Sequence, residues 1–538
     1  MSPQRYDVVI VGAGFGGMYM LHRLRGLGLS VIVFDVAAGV GGTWYWNRYP
    51  GARCDVESMQ YSYSFSEEIQ QEWQWSELFA AQPEILRYAN YVADKLDLRR
   101  DMRFETRVTA AEFNEMTNRW TVRTDRGDVV SARFCIMATG CLSVPRKPDF
   151  PGIESFEGDT YHTGLWPHEG VDFTGQRVAV IGTGSSAIQS IPQIAKQATS
   201  LTVFQRTANF SIPAHNMPLD QERQRWIDEH FEEYREAARL SGFGGSSGFN
   251  LAPASESSPE EQLATLEERW SVGGIAYLGA FGDFLFNKES NDVAAEFVRS
   301  KIRSIVEDPA TAELLAPKDH PLGTKRLCVD VDYFETYNQP HVSLVDIKHN
   351  PIESLTPTGL RLSDGQSFDV DAIVFATGFD AMTGTLLRID IRGVEGRTLS
   401  EKWKDGPRSY LGLMSAGFPN LFTITGPGSP SVLSNMILSI EQHVEWIADL
   451  LDHMRDNDLA RIDAELDAED TWVHHVNEIA SFTLFPTAAS WYMGANIPGK
   501  PRVFMPYIGG VALYRQKCDD VMAKGYEGFS LTSSSVSA

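Results

Sequence analysis

Residues 6–17 read YDVVIVGAGFGG, a β-branched run that breaks into a loop of glycines. Behind the loop, Met18 to Leu27 has helical character, and a second β-rich run, Leu29 to Phe34, closes on Asp35. This is the strand, loop, helix, strand order of a mononucleotide-binding unit. Gly12 allows the tight turn, Gly14 lets backbone approach a pyrophosphate, and Gly17 lets helix and strand touch. A carboxylate at Asp35 accepts hydrogen bonds from an adenosine ribose and repels a 2'-phosphate. The unit therefore suits FAD or NAD and not NADP.

The same order recurs from Arg177 to Phe204, with strand Val178 to Ile181, the loop Gly182, Thr183, Gly184, Ser185, Ser186 and Ala187, and strand Leu201 to Phe204. Alanine in the third glycine's place is tolerated by the fingerprint. The second strand ends in Gln205, Arg206 and Thr207, with no carboxylate and a guanidinium suited to a 2'-phosphate. This unit suits NADP(H), which leaves the flavin to the first and implies hydride transfer from NADPH to FAD. The fold class expected is α/β, with two Rossmann-like dinucleotide-binding domains.

Two apolar runs, Phe134 to Gly140 and Ala372 to Gly378, end in the same Ala-Thr-Gly turn and read as crossing points between domains. The segment 216–324 differs in composition, with helical patterning over 219–240 and 291–307, and Ser258, Pro259 and Glu261 spell a helix start. It is expected to be a helical insertion in the NADP domain, with Gly/Ser-rich 241–258 as a mobile loop. The expected FAD domain is then 1–140 with 381–538, and the NADP domain 151–215 with 325–380. The Ser-rich end, 532–538, is expected to be disordered.

A chain of 538 residues is long enough for two or three cores. Its net charge of -24 repels nucleic acid and anionic membranes, and no apolar run is long enough to span a bilayer. The N-terminus runs straight into a core strand, so no secretory signal is expected. The five cysteines, Cys54, Cys135, Cys141, Cys328 and Cys518, show neither CxxC nor metal-ligand spacing, so no metal, no disulfide framework and a cytoplasmic location are expected. A dithiol as electron acceptor is disfavoured for the same reason.

Between the two fingerprints, Phe156 to Pro167 reads FEGDTYHTGLWP and fits FxGxxxHxxxWP at every fixed position. With it come GGTWYWNRYPG at 41–51, Lys325-Arg326, ATGFD at 376–380, GPGSPSVLSN at 426–435 and WYMGANIPGK at 491–500. In this combination and order the chain resembles the type I Baeyer-Villiger monooxygenases, and its 426–435 segment is most similar to the phenylacetone and steroid monooxygenase branch. Thr43 and Ala187 stand where close relatives often have valine and glycine.

The resemblance implies an NADPH- and O2-dependent enzyme that oxidises a ketone to an ester or lactone through a C4a-peroxyflavin, on hydrophobic aryl, steroid or cyclic ketones, with sulfoxidation as a side activity. It implies FAD binding by Gly12, Gly14, Gly17, Asp35, Thr43, Trp44, Tyr45, Trp46, Asp55, Tyr61, Val108 and Met436. It implies NADP binding by Arg53, Gly182 through Ala187, Gln189, Arg206, Thr207, Lys325, Arg326 and Trp491. A substrate wall of Val56, Cys141, Leu142, Pro430, Ser431, Val432, Leu433 and Met436 follows from the same likeness. Arg326 is the implied catalytic cation, facing the oxyanion, and Asp55 its carboxylate partner. His162, despite its useful titration range, is expected to couple domains and not to carry protons. No obligate protein partner is implied. The rival readings are a flavin enzyme oxidising nitrogen or sulfur, and a non-catalytic NADPH/FAD sensor or electron-donor module.

Overall fold

The opening apolar run forms the strand Gln4–Val11 in a computed structural model that describes residues 3–245 and 248–533. Val8, Val9 and Ile10 are fully buried, so this strand is covered on both faces, which is why it reads as a continuous apolar run instead of an alternating one. It lies at the middle of an eight-stranded sheet, between parallel neighbours Val31–Phe34 and Val129–Met137. Arg119–Thr124, Val108–Asn114 and Asp390–Arg392 extend the sheet one way, and Met102–Arg103 the other. Leu421–Thr423 also pairs with Val129–Met137, bringing the C-terminal third of the chain back to this sheet.

The second fingerprint belongs to an all-parallel sheet of five strands, in the order Val342–Asp346, Ser200–Gln205, Arg177–Ile181, Ala372–Phe375, Asp159–His162. Each sheet has an apolar cluster on either face. Helices Phe15–Gly26 and Ser185–Ala195 follow the two glycine loops.

The two Ala-Thr-Gly turns have a packing role. A Cβ on Gly12 would meet the Ala138 carbonyl oxygen at 2.4 Å, and one on Gly182 the Ala376 oxygen at 2.5 Å. Both glycines also adopt a positive φ, +110° and +115°. Each crossing strand therefore ends with its backbone pressed against a glycine loop, and the same tripeptide solves the same contact twice. Ala187 is fully buried, so the second unit accommodates the extra methyl group in its helix–sheet contact.

The segment expected to be helical contains helices Gln221–Glu229, Phe231–Arg239, Pro259–Val272, Lys288–Ile305 and Pro309–Leu315. The helical patterning over 219–240 corresponds to two helices that meet at His230, whose ring Nδ1 lies 2.8 Å from the Trp226 carbonyl. Ser258 and Glu261 form the reciprocal cap expected from the sequence. The Gly/Ser-rich stretch differs from the free loop expected at its start: the Gly242 carbonyl accepts from Val511 N–H at 2.9 Å and that of Phe243 from Asn435 N–H at 2.8 Å. Of the end expected to be disordered, Thr532 and Ser533 lie in the strand Phe529–Ser533, paired with Leu459–Ala464. Residues 534–538 lie outside the described residues.

The tightest of these glycine contacts is at Gly17, where an added Cβ would stand 1.8 Å from the Gly12 carbonyl oxygen. Backbone cannot yield as a side chain does, so Gly17→Ala is expected to destabilise the fold by about 3 kcal/mol and to strip FAD from the purified protein. Thermal melting and FAD content per chain check this, and an unchanged melt with full FAD would contradict it.

Candidate active site

Strand Val31–Phe34 delivers Asp35 beneath the first glycine loop. Its Oδ2 accepts from Ala13 N–H at 2.6 Å and its Oδ1 from Ala37 N–H at 2.7 Å. Burial pushes its pKa up, and these backbone donors oppose the shift. The helix Phe15–Gly26 begins with no side-chain cap and no acidic residue in its first turn, and so does Ser185–Ala195. Two uncapped helix N-termini behind glycine loops are what two pyrophosphates require. The residues present thus fit FAD at the first loop and NADP at the second.

Around the first loop, Gly41 N–H donates to the Ala13 carbonyl at 3.1 Å and leads into the turn Thr43–Trp46. The Trp44 indole donates to the Tyr61 hydroxyl at 3.0 Å, while Thr43 stays exposed. Tyr45 and Trp46 instead gather at His168 of the second half, with ring centroids 4.8 and 6.3 Å from it. Val108 opens its strand two residues beyond Thr106, whose N–H bonds the Asp35 carbonyl at 2.9 Å. Met436 begins the long helix Met436–Asp456, capped by Asn435.

At the second loop, the Thr183 hydroxyl donates to the Thr207 carbonyl at 2.8 Å, and Ser185 and Ser186 meet Cys328 and Thr163 at 3.2 and 3.0 Å. Arg206 is exposed and Lys325 partly buried. Burial, then the charge of Arg206, lowers the pKa of Lys325, and the same two causes lower that of Arg146. Three cations thus converge, and none of them makes an ion pair among the described residues. Such a cluster suits a phosphate. Arg146 is an addition that no motif in the sequence marked.

Two residues expected at NADP make protein contacts in this structure. Gln189 accepts from the Tyr49 hydroxyl at 2.9 Å and donates to the Arg53 carbonyl at 3.1 Å, joining the two halves. The Arg53 guanidinium is ion-paired with Glu77, which also accepts from Asn216.

At the junction itself, Arg326 Nε and Nη2 both reach Asp55 Oδ2, at 3.0 and 2.7 Å. Its Nη1 donates to the Val432 carbonyl at 2.6 Å. Burial works against the guanidinium's charge, but Asp55 and the Tyr492 phenol outweigh it and hold its pKa above the ordinary value. Val432 belongs to the turn Ser431–Leu433, entered through Ser431 at φ +44°, a left-handed conformation uncommon for serine. The Cys141 thiol lies 3.0 Å from the Ser431 hydroxyl. Val56, Cys141 and Val432 are buried in the first half's core, with Leu142, Leu433 and Met436 half-buried against it. Pro430 is buried beside them in sequence.

His162 is held by structure on both ring nitrogens. Nδ1 accepts from Gly164 N–H at 3.0 Å, which places the proton on Nε2, 3.1 Å from the Arg146 carbonyl and 3.2 Å from the Thr377 hydroxyl. Burial lowers its pKa, so the ring is neutral. Trp166 is buried between Tyr161 and Phe173.

A family described as pyridine nucleotide-disulphide oxidoreductase matches residues 9–241. In this chain all five cysteines are free, so the match reflects the nucleotide folds. A Baeyer-Villiger monooxygenase from Pseudooceanicola batsensis is 44% identical over 528 residues, covering 97% of this chain and 95% of that protein. The chain belongs to the Baeyer-Villiger monooxygenases. A solved structure titled oxidized steroid monooxygenase bound to NADP superposes on this Baeyer-Villiger monooxygenase with a TM-score of 0.95 at 53% identity, covering 98% of this chain and all (100%) of the other. A phenazine N-monooxygenase from Lysobacter antibioticus is 42% identical over 98% of this chain and 97% of its own.

The segment 491–500 holds further contacts of this Baeyer-Villiger monooxygenase that its sequence did not announce. Trp491 is half-buried with its ring centroid 4.2 Å from that of Tyr492, and Lys500 is ion-paired with Asp380 at 2.7 Å. The cation cluster gives a direct test. Arg206→Ala is expected to raise KM for NADPH about tenfold, the worth of one charge-assisted hydrogen bond, with little change for NADH. Steady-state kinetics with both nucleotides check it, and equal losses would contradict it.

Proposed function

We propose that the chain inserts one atom of O2 next to the carbonyl of a hydrophobic aryl, steroid or cyclic ketone, giving an ester or lactone, while NADPH is oxidised and the second oxygen atom leaves as water. The observation that carries this reading is the Asp55–Arg326 pair, whose guanidinium also holds the backbone of an apolar wall. FAD, when bound, carries the two electrons from NADPH and brings O2 into reaction. The chain does the rest.

Gly12, Gly14, Gly17, Asp35, Trp44, Tyr61, Val108 and Met436 form the flavin site in this reading, with Thr43, Tyr45 and Trp46 at its rim. Gly182 through Ala187, Arg206, Thr207 and Lys325 hold the NADP phosphates, and we assign Arg53, Gln189 and Trp491 to the same nucleotide. Residues 1–140 with 381–538 serve the flavin and 151–215 with 325–380 the NADP, with 216–324 as the insertion.

Arg326 places a fixed positive charge where negative charge gathers on oxygen. Because Asp55 and Tyr492 hold its pKa up, the charge persists across the working pH range. Asp55 aims the guanidinium, one of its oxygens accepting two N–H groups. Val56, Leu142, Leu433 and Met436 exclude water, which strengthens each of these interactions. The likeness to a phenazine N-monooxygenase favours a second activity on nitrogen or sulfur nucleophiles, from the same site.

No helix among the described residues is long and apolar enough to cross a membrane. We place the enzyme in the cytoplasm, acting without an obligate protein partner.

Incubating the FAD-loaded enzyme with NADPH, O2 and an aryl ketone is expected to yield ester. Flavin reduction with no oxygenated product from a panel of ketones and sulfides would overturn the assignment. Arg326→Ala is expected to go on consuming NADPH while ester formation falls by about 3 kcal/mol or more in transition-state terms. Undiminished ester from that variant would mean that Arg326 does not supply the charge facing the oxyanion.

A further inference from the structure

Resting on the placement of FAD at the first glycine loop, we infer that Arg235 is a positioning residue for the flavin: its buried guanidinium ties residues 62 and 63 of the flavin half to the helical insertion.

A guanidinium has five N–H groups in a rigid plane, and burying its charge is unfavourable unless those groups are met. Arg235, in helix Phe231–Arg239 of the insertion, is 4% exposed and forms no ion pair among the described residues. Neutral acceptors surround it instead. Gln70 Oε1 takes Nε at 3.1 Å and Nη2 at 2.5 Å, and the Ser62 hydroxyl takes Nη2 at 3.0 Å. The Ser62 and Tyr63 carbonyls each lie 3.4 Å from a terminal nitrogen. The insertion also orients the Gln70 amide, whose Nε2 donates to Asp228 at 3.4 Å.

The segment held in this way reaches the flavin site through its tyrosines. The Tyr63 hydroxyl donates to the Phe15 carbonyl at 2.6 Å, in the first turn of the helix behind the first glycine loop. The Tyr61 hydroxyl accepts from the Trp44 indole. Both phenol rings stand edge-on to Phe15, with centroids at 6.0 and 5.3 Å. Ser64, next along the chain, donates its N–H to Glu441 Oε1 at 2.6 Å, and Glu441 lies in the helix Met436–Asp456. A buried cation of the insertion and a buried carboxylate of the flavin half thus grip residues 62–64, with Tyr63 between them.

The insertion meets the same segment a second time through Asn435. The Phe243 carbonyl accepts from Asn435 N–H at 2.8 Å. Asn435 Nδ2 donates to the Gln60 carbonyl at 2.9 Å, and its Oδ1 accepts from Ile437 N–H at 3.1 Å, which caps the helix that Met436 opens. Residues 60–64 are therefore fixed at both ends by groups that the insertion holds. This gives the first part of the insertion a role that the nucleotide fingerprints do not supply. It sets where Tyr61 and Tyr63 stand, and through them the turn and the glycine loop of the flavin site.

The test uses the FAD-loaded enzyme. Arg235→Met, which keeps an unbranched side chain without donors, is expected to speed FAD release about tenfold, the value of one hydrogen bond to a charged group. The rise in flavin fluorescence follows the release, and the visible circular dichroism of the bound flavin is expected to change with it. Affinity for NADP+, which the other sheet binds, is expected to stay within about twofold. Arg235→Lys, still able to donate to Gln70 and Ser62, is expected to recover most of the loss. Tyr63→Phe removes only the hydroxyl and is expected to speed release about fivefold, so it decides the matter if Arg235→Met does not fold. FAD release at the unaltered rate in either variant would overturn the inference. Equal weakening of FAD and NADP+ in Arg235→Met, with no rescue by lysine, would overturn it too, as the mark of a general loosening. Full retention of FAD by Gly17→Ala would instead strike the placement of the flavin on which the inference rests.

Discussion

Everything at the centre of this molecule depends on one carboxylate oxygen, Asp55 Oδ2, which accepts from both Nε and Nη2 of Arg326. Cys54 and Val56 on either side of Asp55 are buried in one half's core, and Leu327 and Cys328 beside Arg326 in the other's. The pair is therefore a joint between halves as well as a site. The Arg326 and Asp55 side chains are 20% and 27% exposed, so solvent moderates their attraction. The value of the pair is geometric: it fixes the guanidinium plane, and the Val432 carbonyl completes the frame.

Around that joint the two halves solve one problem twice and differ where the ligand differs. Both sheets press an Ala-Thr-Gly strand end against a positive-φ glycine, and both present an uncapped helix N-terminus. One then ends its second strand in a half-buried carboxylate, the other in a cluster of cations without an ion pair among the described residues. Contacts between halves come from side chains that bridge: Gln189 to Tyr49 and to the Arg53 carbonyl, and His162 to the linker at Arg146. A methyl group added at Gly51 would stand 2.2 Å from the Gln189 carbonyl oxygen, a measure of how closely the halves approach.

Both nucleotide folds were legible because local rules write them: β-branched runs, glycines at fixed spacing and the residue at the strand end all act within about 30 residues. The pairing of Asp55 with Arg326, 271 positions apart, was legible only through likeness to a family. Arg146 and the Lys500–Asp380 ion pair left no local signal, since an arginine or a lysine carries no mark of the partner that packing will bring. Composition misled at 241–245, where a Gly/Ser run suggested freedom. Glycine backbone is free until another segment needs its carbonyls, and Val511 and Asn435 do.

If the joint is one functional unit, Asp55 and Arg326 cannot contribute independently. A double-mutant cycle on the rate of ester formation, using Asp55→Asn, Arg326→Lys and the double variant, tests this most directly. A single unit requires that the double variant lose no more than the worse single variant. Losses that multiply would contradict it, leaving two residues that act separately and a joint that is only structural.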